Sequence, residues 1–533
     1  MNAKRVTVYD TTLRDGAQAE GVSFSAAAKV QIAKRLDDFG VAYIEGGFAA
    51  SNPKDMEFFR LIKNEKLNHA KIAAFGSTRR ANVAPENDTG LKALLEADTP
   101  VCTIFGKSWL LHVTEVLQTT PEENLEMIRS SVRFLKERGK EVIFDAEHFF
   151  DGYKDDPEYA LAALNAAADA GADCLCLCET NGGTLPHEVE AITAAVVKQF
   201  KTPVGIHTHN DSECGVANAL VAVRAGAVQV QGTMNGIGER VGNCNLISVI
   251  SNLMLKMGYA CLPEKSNLKR LRALSHFIYE QANMRPYTKQ AFVGDSAFAH
   301  KAGMHVDGVR KVAHSFEHVN PEAVGNQRRI LISELSGASN IILKAIEMGI
   351  NVDRKSPEIR EVLKQLEQME KEGYEYESAD ASFQMLVKKV LKKHKSFFDF
   401  ESFTVIVDKQ DARPGCRSEA TVRLRVNGES VSTMGTGDGP VDALDHALRD
   451  ALVNFYPAIA GVVLTDYSVR ILDPEEATAA KTRVLIESSD GEKTWGTVGV
   501  SDNIIEASWE ALVDSVEYKL FLEEEKVKNG APE

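Results

Sequence analysis

Eight short apolar segments alternate with longer segments of helical spacing through the first 260 residues of the chain. The apolar segments are rich in β-branched residues, and they occupy residues 6–10, 42–47, 71–76, 101–106, 141–147, 173–180, 203–210 and 228–236. Strict alternation of strands and helices is typical of a parallel sheet, and eight such units predict a closed (β/α)8 TIM barrel. An open, doubly wound sheet is the alternative, although no GxGxxG motif follows the first segment.

Changes in patterning divide the chain into three predicted domains. Residues 1–262 form the α/β TIM-barrel domain, and residues 263–398 form largely helical, charged linker subdomains that complete the active site. Residues 399–525 form an α+β regulatory domain for amino-acid binding or dimerisation.

A weak internal repeat lies in the third region. "MGTGDGPVDALDHAL" (434–448) parallels "WGTVGVSDNIIEASWEAL" (495–512), with a Gly-Thr turn followed by an amphipathic helix in each. The repeat predicts pseudo-symmetry. The two Gly-rich turns can either cradle the charged groups of an amino acid or serve as structural turns of a dimerisation module, and both interpretations stay open.

Composition excludes several classes of protein. The formal net charge is -15, which argues against nonspecific binding of nucleic acid. No run of about 18 apolar residues is present, so we expect no membrane span. The N-terminal residues lack the apolar core of a signal peptide, and we expect a cytoplasmic protein. Cys174, Cys176 and Cys178 alternate along one strand, where buried reduced thiols are favoured over a metal site.

Polar residues collect at the C-terminal ends of the predicted strands, where TIM barrels carry their active sites. They are Asp10, Glu45, Asp145, Glu147, Glu179, Thr180, His207 and His209. The seventh strand ends in "HTHND", and residues two apart on a strand share a face, so His207 and His209 present their imidazoles side by side. Because strands seven, eight and one are neighbours in a closed barrel, "YDTTLRDG" and "NGIGERVGNCN" converge on this pair.

Two imidazoles, a carboxylate and an amide oxygen can hold a divalent cation. We therefore predict a metal site made by Asp15, His207, His209 and Asn243. Arg14 beside it can bind a carboxylate through two parallel hydrogen bonds, which together with the metal predicts binding of a 2-oxo acid. The alternative is that the two imidazoles only bond to neighbouring backbone groups or carboxylates.

"YDTTLRDGAQAEG", "HTHND" and "GIGERVGN", in that order, resemble the 2-isopropylmalate, homocitrate and citramalate synthase family. These enzymes condense acetyl-CoA with a 2-oxo acid on a metal-bearing TIM barrel. The resemblance covers nearly the whole chain, and segments such as "FDAEHFFDGYK" and "CETNGGTLPHE" are most similar to the branch that uses pyruvate. It implies Asp15, His207, His209 and Asn243 as ligands of Mn, Mg or Zn, and Arg14 as the residue that binds the oxo acid.

The resemblance implies further roles in catalysis. Glu147 lies near the acetyl-CoA methyl group, Thr180 contacts the substrate carboxylate, and His305 reaches the active site from the linker of the partner subunit in a homodimer. Glu147 and His305 are the candidate bases that enolise acetyl-CoA, and Glu147 alternatively orients Arg14 or a water. Phe316 stands where the family commonly has a tyrosine, so it either leaves proton transfer to another group or simply packs.

The pyruvate-using branch implies formation of (R)-citramalate and CoA in the threonine-independent route to isoleucine, with isoleucine as the effector of the C-terminal domain. A 2-isopropylmalate synthase of leucine biosynthesis is the nearest alternative, because one methylene changes recognition by only about 1–3 kcal/mol. A metal-dependent aldolase or lyase without CoA dependence, and a noncatalytic amino-acid sensor, are the alternatives from other classes.

Overall fold

The computed structural model describes residues 4–50, 53–301, 303–331, 357–376, 378–391, 395–409, 415–472 and 480–528. The chain divides into two compact units, one made of Met1–Phe298 with Glu317–Arg329 and the other of Ala299–Phe316 with Ile330–Glu533. The three-domain division stays a prediction, and part of its helical linker, residues 332–356, lies outside the described residues.

A closed barrel of eight parallel strands forms the centre of the first unit. The strands follow each other around the barrel in chain order: β1 (Thr7–Asp10), β2 (Tyr43–Phe48), β3 (Lys71–Ser77), β4 (Val101–Lys107), β5 (Glu141–Glu147), β6 (Cys174–Glu179), β7 (Val204–Thr208) and β8 (Gln229–Gly232). Pairing of β8 with β1 closes the ring. The (β/α)8 prediction is confirmed, and the doubly wound alternative is wrong.

Helices connect these strands and cover the outside of the barrel. They are α1 (Ala26–Phe39), α2 (Pro53–Ile62), α3 (Thr89–Ala97), α4 (Pro121–Lys136), α5 (Phe149–Asp155), α6 (Pro157–Asp169), α7 (Pro186–Gln199), α8 (Gly215–Ala225) and α9 (Leu246–Leu255), followed by α10 (Leu271–Gln281). The sequence predicted one helix after each strand, whereas two follow β5. The second begins because Asp156 caps it, accepting from Tyr159 N at 3.0 Å, and Pro157 occupies its first turn.

The three alternating cysteines lie inside the barrel, where they pack with apolar residues of the other strands. All three are free thiols, and burial raises the pKa of Cys178 to about 11. Ligand atoms of Asp145, Cys176 and Cys178 lie within 4.8 Å of one another, a spacing that is compatible with metal binding. Because the thiols are protonated at neutral pH, we interpret them as buried packing residues and not as metal ligands.

The described α-helices and strands from residue 299 onward are β9 (Ala299–His300), α11 (Gly303–Lys311), β10 (Arg329–Ile330), α12 (Pro357–Glu372), α13 (Asp380–Val390), β11 (Asp399–Asp408), β12 (Arg417–Val426), β13 (Glu429–Gly437), α14 (Pro440–Leu452), β14 (Val463–Ile471), β15 (Thr482–Ser489), β16 (Thr494–Ser501) and α15 (Ile504–Lys528). Two antiparallel sheets, β11-β12-β13 and β14-β15-β16, are each followed by a helix, and the two halves share one apolar core. The predicted pseudo-symmetric α+β domain is confirmed. Among the described helices, none combines the length and apolar character needed to cross a membrane.

One of the two predicted Gly-rich turns is wrong. Residues 495–500 lie within β16, and all six are buried, so both faces of the strand are covered. At the other predicted turn, residues 435–437 are the end of β13, and the turn that follows closes on Asp442 of α14: Asp438 N donates to Asp442 Oδ2 at 3.0 Å. A Cβ added at Gly437 would overlap Asp442 Oδ2. These contacts favour a structural turn over an amino-acid cradle.

Candidate active site at the rim of the barrel

The predicted metal ligands meet at the C-terminal end of the barrel. Asp15, His207, His209 and Asn243 are all buried, and ligand atoms of the first three lie within 4.8 Å of one another. His207 Nε2 is 3.2 Å from Asp15 Oδ2 and 3.4 Å from His209 Nε2. His209 and Asn243 form an isolated β-bridge, which brings the loop after β8 against the end of β7. The cluster is a possible metal site.

Local backbone structure explains how Asp15 reaches the cluster. Arg14 N and Asp15 N both donate to Thr11 O, at 3.1 and 2.8 Å, and these bonds form a tight turn directly after β1. The side chain of Thr12 ties this turn to the loop after β8, because its Oγ1 accepts from Met234 N at 2.9 Å. The loops after β1 and β8, which are far apart in sequence, are therefore joined, and together they fix Asp15 at the rim.

An unsatisfied buried oxygen of Asn243 supports the fit of a cation. Asn243 Nδ2 donates to Asp15 Oδ2 at 2.8 Å and lies 3.3 Å from His207 Nε2. Asn243 Oδ1 and His209 Nδ1 are buried and lack a hydrogen-bond partner within the described parts of the chain. The predicted role of Asn243 requires the amide oxygen to face the cluster, and a half-turn of the carboxamide exchanges its oxygen and nitrogen. The donor set itself suits a divalent cation.

The contacts within the cluster set the protonation state of each ligand. Burial raises the pKa of Asp15, but the positive charge of Arg14 and the hydrogen bond from His207 outweigh burial and hold that pKa well below its usual range. Burial lowers the pKa of His207, and the contacts with Asp15 more than reverse this effect. His207 must therefore release a proton before it can offer a lone pair to a cation. For His209, burial and the positive charge of His207 lower the pKa to about 3. His209 is therefore neutral and offers a lone pair.

Arg14 is held by a residue that the sequence analysis placed at the rim without a role. Its Nε donates to Glu45 Oε1 at 2.6 Å, and its guanidinium lies 3.9 Å from the centre of the Phe75 ring. Glu45 is fully buried, and its second oxygen accepts from Tyr9 Oη at 2.7 Å. Tyr9 Oη is also 2.6 Å from Thr103 Oγ1. A chain of buried hydrogen bonds thus fixes the direction of the guanidinium.

A cavity of about 250 Å³ opens beside the cluster. It is lined by Arg14, Asp15, Gln18, Phe48, Phe75, Phe105, Asp145, Glu147, Cys178, Thr180, His207, His209 and Glu239. The rings of Phe48, Phe75 and Phe105 contact one another, with centroids 5.5 to 6.4 Å apart, and form an apolar wall. The sequence analysis missed this wall. The repeated Phe-Gly pair near the ends of the third and fourth strands was the signal for two of its members.

Glu147 and Thr180 also line this cavity. Glu147 forms an ion pair with Lys107, a residue that the sequence analysis did not single out. Glu45 rather than Glu147 pairs with Arg14, which counts against the alternative in which Glu147 orients Arg14. Thr180 Oγ1 accepts from His148 N at 3.0 Å, so the Thr180 hydroxyl proton is left to donate to another group.

The last predicted site residue, His305, lies on α11 in the second unit. It is exposed, and its ring lies 4.8 Å from the ring of Phe316. A Cβ added at Gly308 would overlap the Phe316 ring, so the phenylalanine packs closely against α11. This contact agrees with the packing interpretation of Phe316. The part that His305 takes in the reaction stays a prediction.

Comparisons with known proteins agree with this architecture. Residues 5–278 match the HMGL-like family, residues 292–374 the homocitrate synthase post-HMGL domain-like family, and residues 377–520 the LeuA allosteric (dimerisation) domain.

Curated relatives match over nearly the whole chain. An (R)-citramalate synthase of Aquifex aeolicus is 54% identical, covering 98% of this chain and 99% of the relative. One of Geobacter sulfurreducens is also 54% identical, covering 98% of both chains. A 2-isopropylmalate synthase of Methanocaldococcus jannaschii is 31% identical, covering 98% of this chain and 96% of the relative.

Proposed function

Because the chain belongs to the (R)-citramalate synthase family, we propose that it condenses acetyl-CoA with pyruvate, giving (R)-citramalate and free CoA. One observation carries the proposal: Arg14 and the cluster of Asp15, His207 and His209 open into the same small cavity. A cation site next to a fixed guanidinium suits a ligand that carries a carboxylate beside a ketone.

Asp15, His207 and His209 would hold a divalent cation, Mn²⁺, Mg²⁺ or Zn²⁺, and the amide oxygen of Asn243 would complete the set. When bound, such a cation acts as a Lewis acid that makes a ketone carbon electrophilic. The unsatisfied oxygen of Asn243, which a half-turn of the carboxamide would bring to the cluster, supports this assignment.

Arg14 and Thr180 would bind the carboxylate of the oxo acid. Glu45 engages Arg14 Nε, and Asp15 Oδ1 lies 3.4 Å from Nη1. A two-point contact with the carboxylate would therefore use Nη2 together with the second N–H of Nη1. The hydroxyl of Thr180 adds a donor, since its oxygen already accepts from a backbone N–H. The phenylalanine wall offers an apolar surface for the methyl group of pyruvate. The choice of pyruvate over a branched oxo acid rests on the two (R)-citramalate synthases that are 54% identical.

A base must remove a proton from the acetyl methyl group, and Glu147 and His305 are the two candidates. The resulting carbon attacks the ketone carbon of pyruvate, and the ketone oxygen gains a proton to become the tertiary hydroxyl. Water then cleaves the thioester C–S bond, and CoA leaves as the thiol. Exchange of the acetyl-CoA methyl protons with D₂O separates the candidates, because only the variant of the true base, Glu147→Gln or His305→Gln, loses exchange.

A panel of 2-oxo acids tests the reaction. Each acid is offered with acetyl-CoA, and free thiol is measured with and without added divalent cation. We expect thiol release with pyruvate, dependent on the cation, and (R)-citramalate as the product. A preference for 2-oxoisovalerate identifies a 2-isopropylmalate synthase instead. Cleavage of citramalate without any CoA dependence identifies an aldolase or lyase.

We further propose a cytoplasmic homodimer that works in the threonine-independent route to isoleucine, with isoleucine as the inhibitor at the C-terminal domain. The match of residues 377–520 to an allosteric dimerisation domain supports both the dimer and an effector. Isoleucine should inhibit the full chain but not a chain that ends near residue 400. Inhibition of the full chain by leucine alone would contradict the choice of effector.

A further inference from the structure

A buried glutamine connects the metal-ligand cluster to the interior of the barrel. Gln231 lies on β8, directly opposite His207 in the register of β7 and β8, and it is fully buried. Its Oε1 is 3.0 Å from His207 Nδ1. Its Nε2 donates to Asp145 Oδ1 at 2.9 Å, two residues before the predicted base Glu147.

The surroundings of Gln231 determine which way its carboxamide points. Two oxygens face its nitrogen, Asp145 Oδ1 at 2.9 Å and Gln229 Oε1 at 3.5 Å. The opposite orientation would place the amide oxygen of Gln231 against both of these oxygens and leave its N–H groups facing the imidazole. Because a carboxamide nitrogen only donates and its oxygen only accepts, the observed orientation gives the ionised Asp145 and Gln229 Oε1 a donor and gives His207 Nδ1 an acceptor.

This orientation decides where His207 carries its proton. Gln231 Oε1 can only accept a hydrogen bond, so His207 Nδ1 must donate. In the neutral imidazole, His207 Nε2 is then the nitrogen that faces Asp15, His209 and Asn243 with its lone pair available to a cation.

We propose that Gln231, held in place by Asp145, is a positioning residue that sets the tautomer of His207 for metal binding. The inference rests on the proposed metal site and adds a requirement to it: position 231 must present a hydrogen-bond acceptor to His207 Nδ1. Partners of this kind contribute about 10–100-fold to metal affinity in proteins.

Titration of the metal-free full chain with Mn²⁺, with the free ion followed by electron paramagnetic resonance and no substrate present, tests the proposal. Gln231→Met keeps the length of the side chain but removes the amide oxygen, and its Mn²⁺ affinity should fall by about 10–100-fold. The matched control is the double variant Gln231→Glu with Asp145→Asn. It keeps the total charge, because a carboxylate and an amide exchange positions. It also keeps the hydrogen bonds, because the amide introduced at position 145 can donate to one oxygen of the new carboxylate while the other oxygen accepts from His207 Nδ1. Its affinity should stay within about threefold of the wild type.

The outcomes separate the role of the acceptor at position 231 from the existence of the metal site. Wild-type affinity in Gln231→Met, or equal losses in Gln231→Met and the double variant, overturns the role of the acceptor and leaves the metal site intact. A wild-type chain that binds no Mn²⁺ overturns the metal site and this inference together. If Gln231→Met does not fold, the folded double variant decides alone: retained binding supports the proposal, and lost binding overturns it.

Discussion

Replacement of Glu45 should reveal how strongly the active site depends on the direction of Arg14. Glu45→Ala removes the acceptor of the Arg14 Nε bond at 2.6 Å and of the Tyr9 Oη bond at 2.7 Å, both in buried surroundings. Breaking a buried ion pair by removing one partner costs about 3–5 kcal/mol. Arg14 keeps a contact with Asp15 Oδ1 at 3.4 Å, so we expect a loss near the lower end, about 3 kcal/mol.

Glu45→Gln is the matched control, because it removes the charge and keeps the shape. Its amide oxygen can still accept from Arg14 Nε, and its amide nitrogen can donate to Tyr9 Oη. Tyr9 then gives its own proton to Thr103 Oγ1, which lies 2.6 Å away. All hydrogen bonds survive, so we expect a loss of only about 1 kcal/mol.

Two measurements separate these effects. At about 2–4 °C per kcal/mol for a large domain, the thermal midpoint of unfolding should fall by about 6–12 °C in Glu45→Ala and by about 2–4 °C in Glu45→Gln. The KM for pyruvate should rise at least about tenfold in Glu45→Ala, because the guanidinium is no longer held in place, and should stay close to the wild-type value in Glu45→Gln. An unchanged KM in Glu45→Ala would refute the orienting role. An equal rise in both variants would show that the charge of Glu45 matters rather than the geometry.

Three further predictions concern the cation, the pocket and pH. Asp15→Ala should abolish condensation while circular dichroism shows an intact fold, and full activity of this variant under stringent chelation would contradict the metal mechanism. Phe105→Ala should raise kcat/KM for 2-oxobutyrate relative to pyruvate by about tenfold, since it removes part of the apolar wall, and an unchanged ratio would count against that wall as a specificity element. Burial raises the pKa of Asp10 to about 7, above the value of about 3.9 expected when unfolded, so the folded chain binds the extra proton between these values. The contribution of Asp10 to stability should therefore fall as pH rises from about 4 to 7, and the thermal midpoint of Asp10→Asn should rise relative to that of the wild-type chain over this range.

Most of the barrel could be predicted because its signals are local. A buried strand and a covering helix each have a characteristic period and length, and eight alternating units are compatible with few folds. The repeat in the C-terminal region was recognisable for the same reason. The turn at residues 495–500 was mispredicted because glycines in a strand that is covered on both faces look like a turn when its neighbours are unknown.

The sequence alone determined which chemical groups gather at the rim. His207 and His209 share a strand face because side chains alternate with a period of two, and Asp15 joins them because parallel strands end at the same edge. Tertiary structure alone decided the partners of these groups. Arg14 pairs with Glu45, 31 residues away, and Gln231 with Asp145, 86 residues away. Contacts across the inside of a barrel depend on its closure and on the stagger of its strands, and no local period encodes either property.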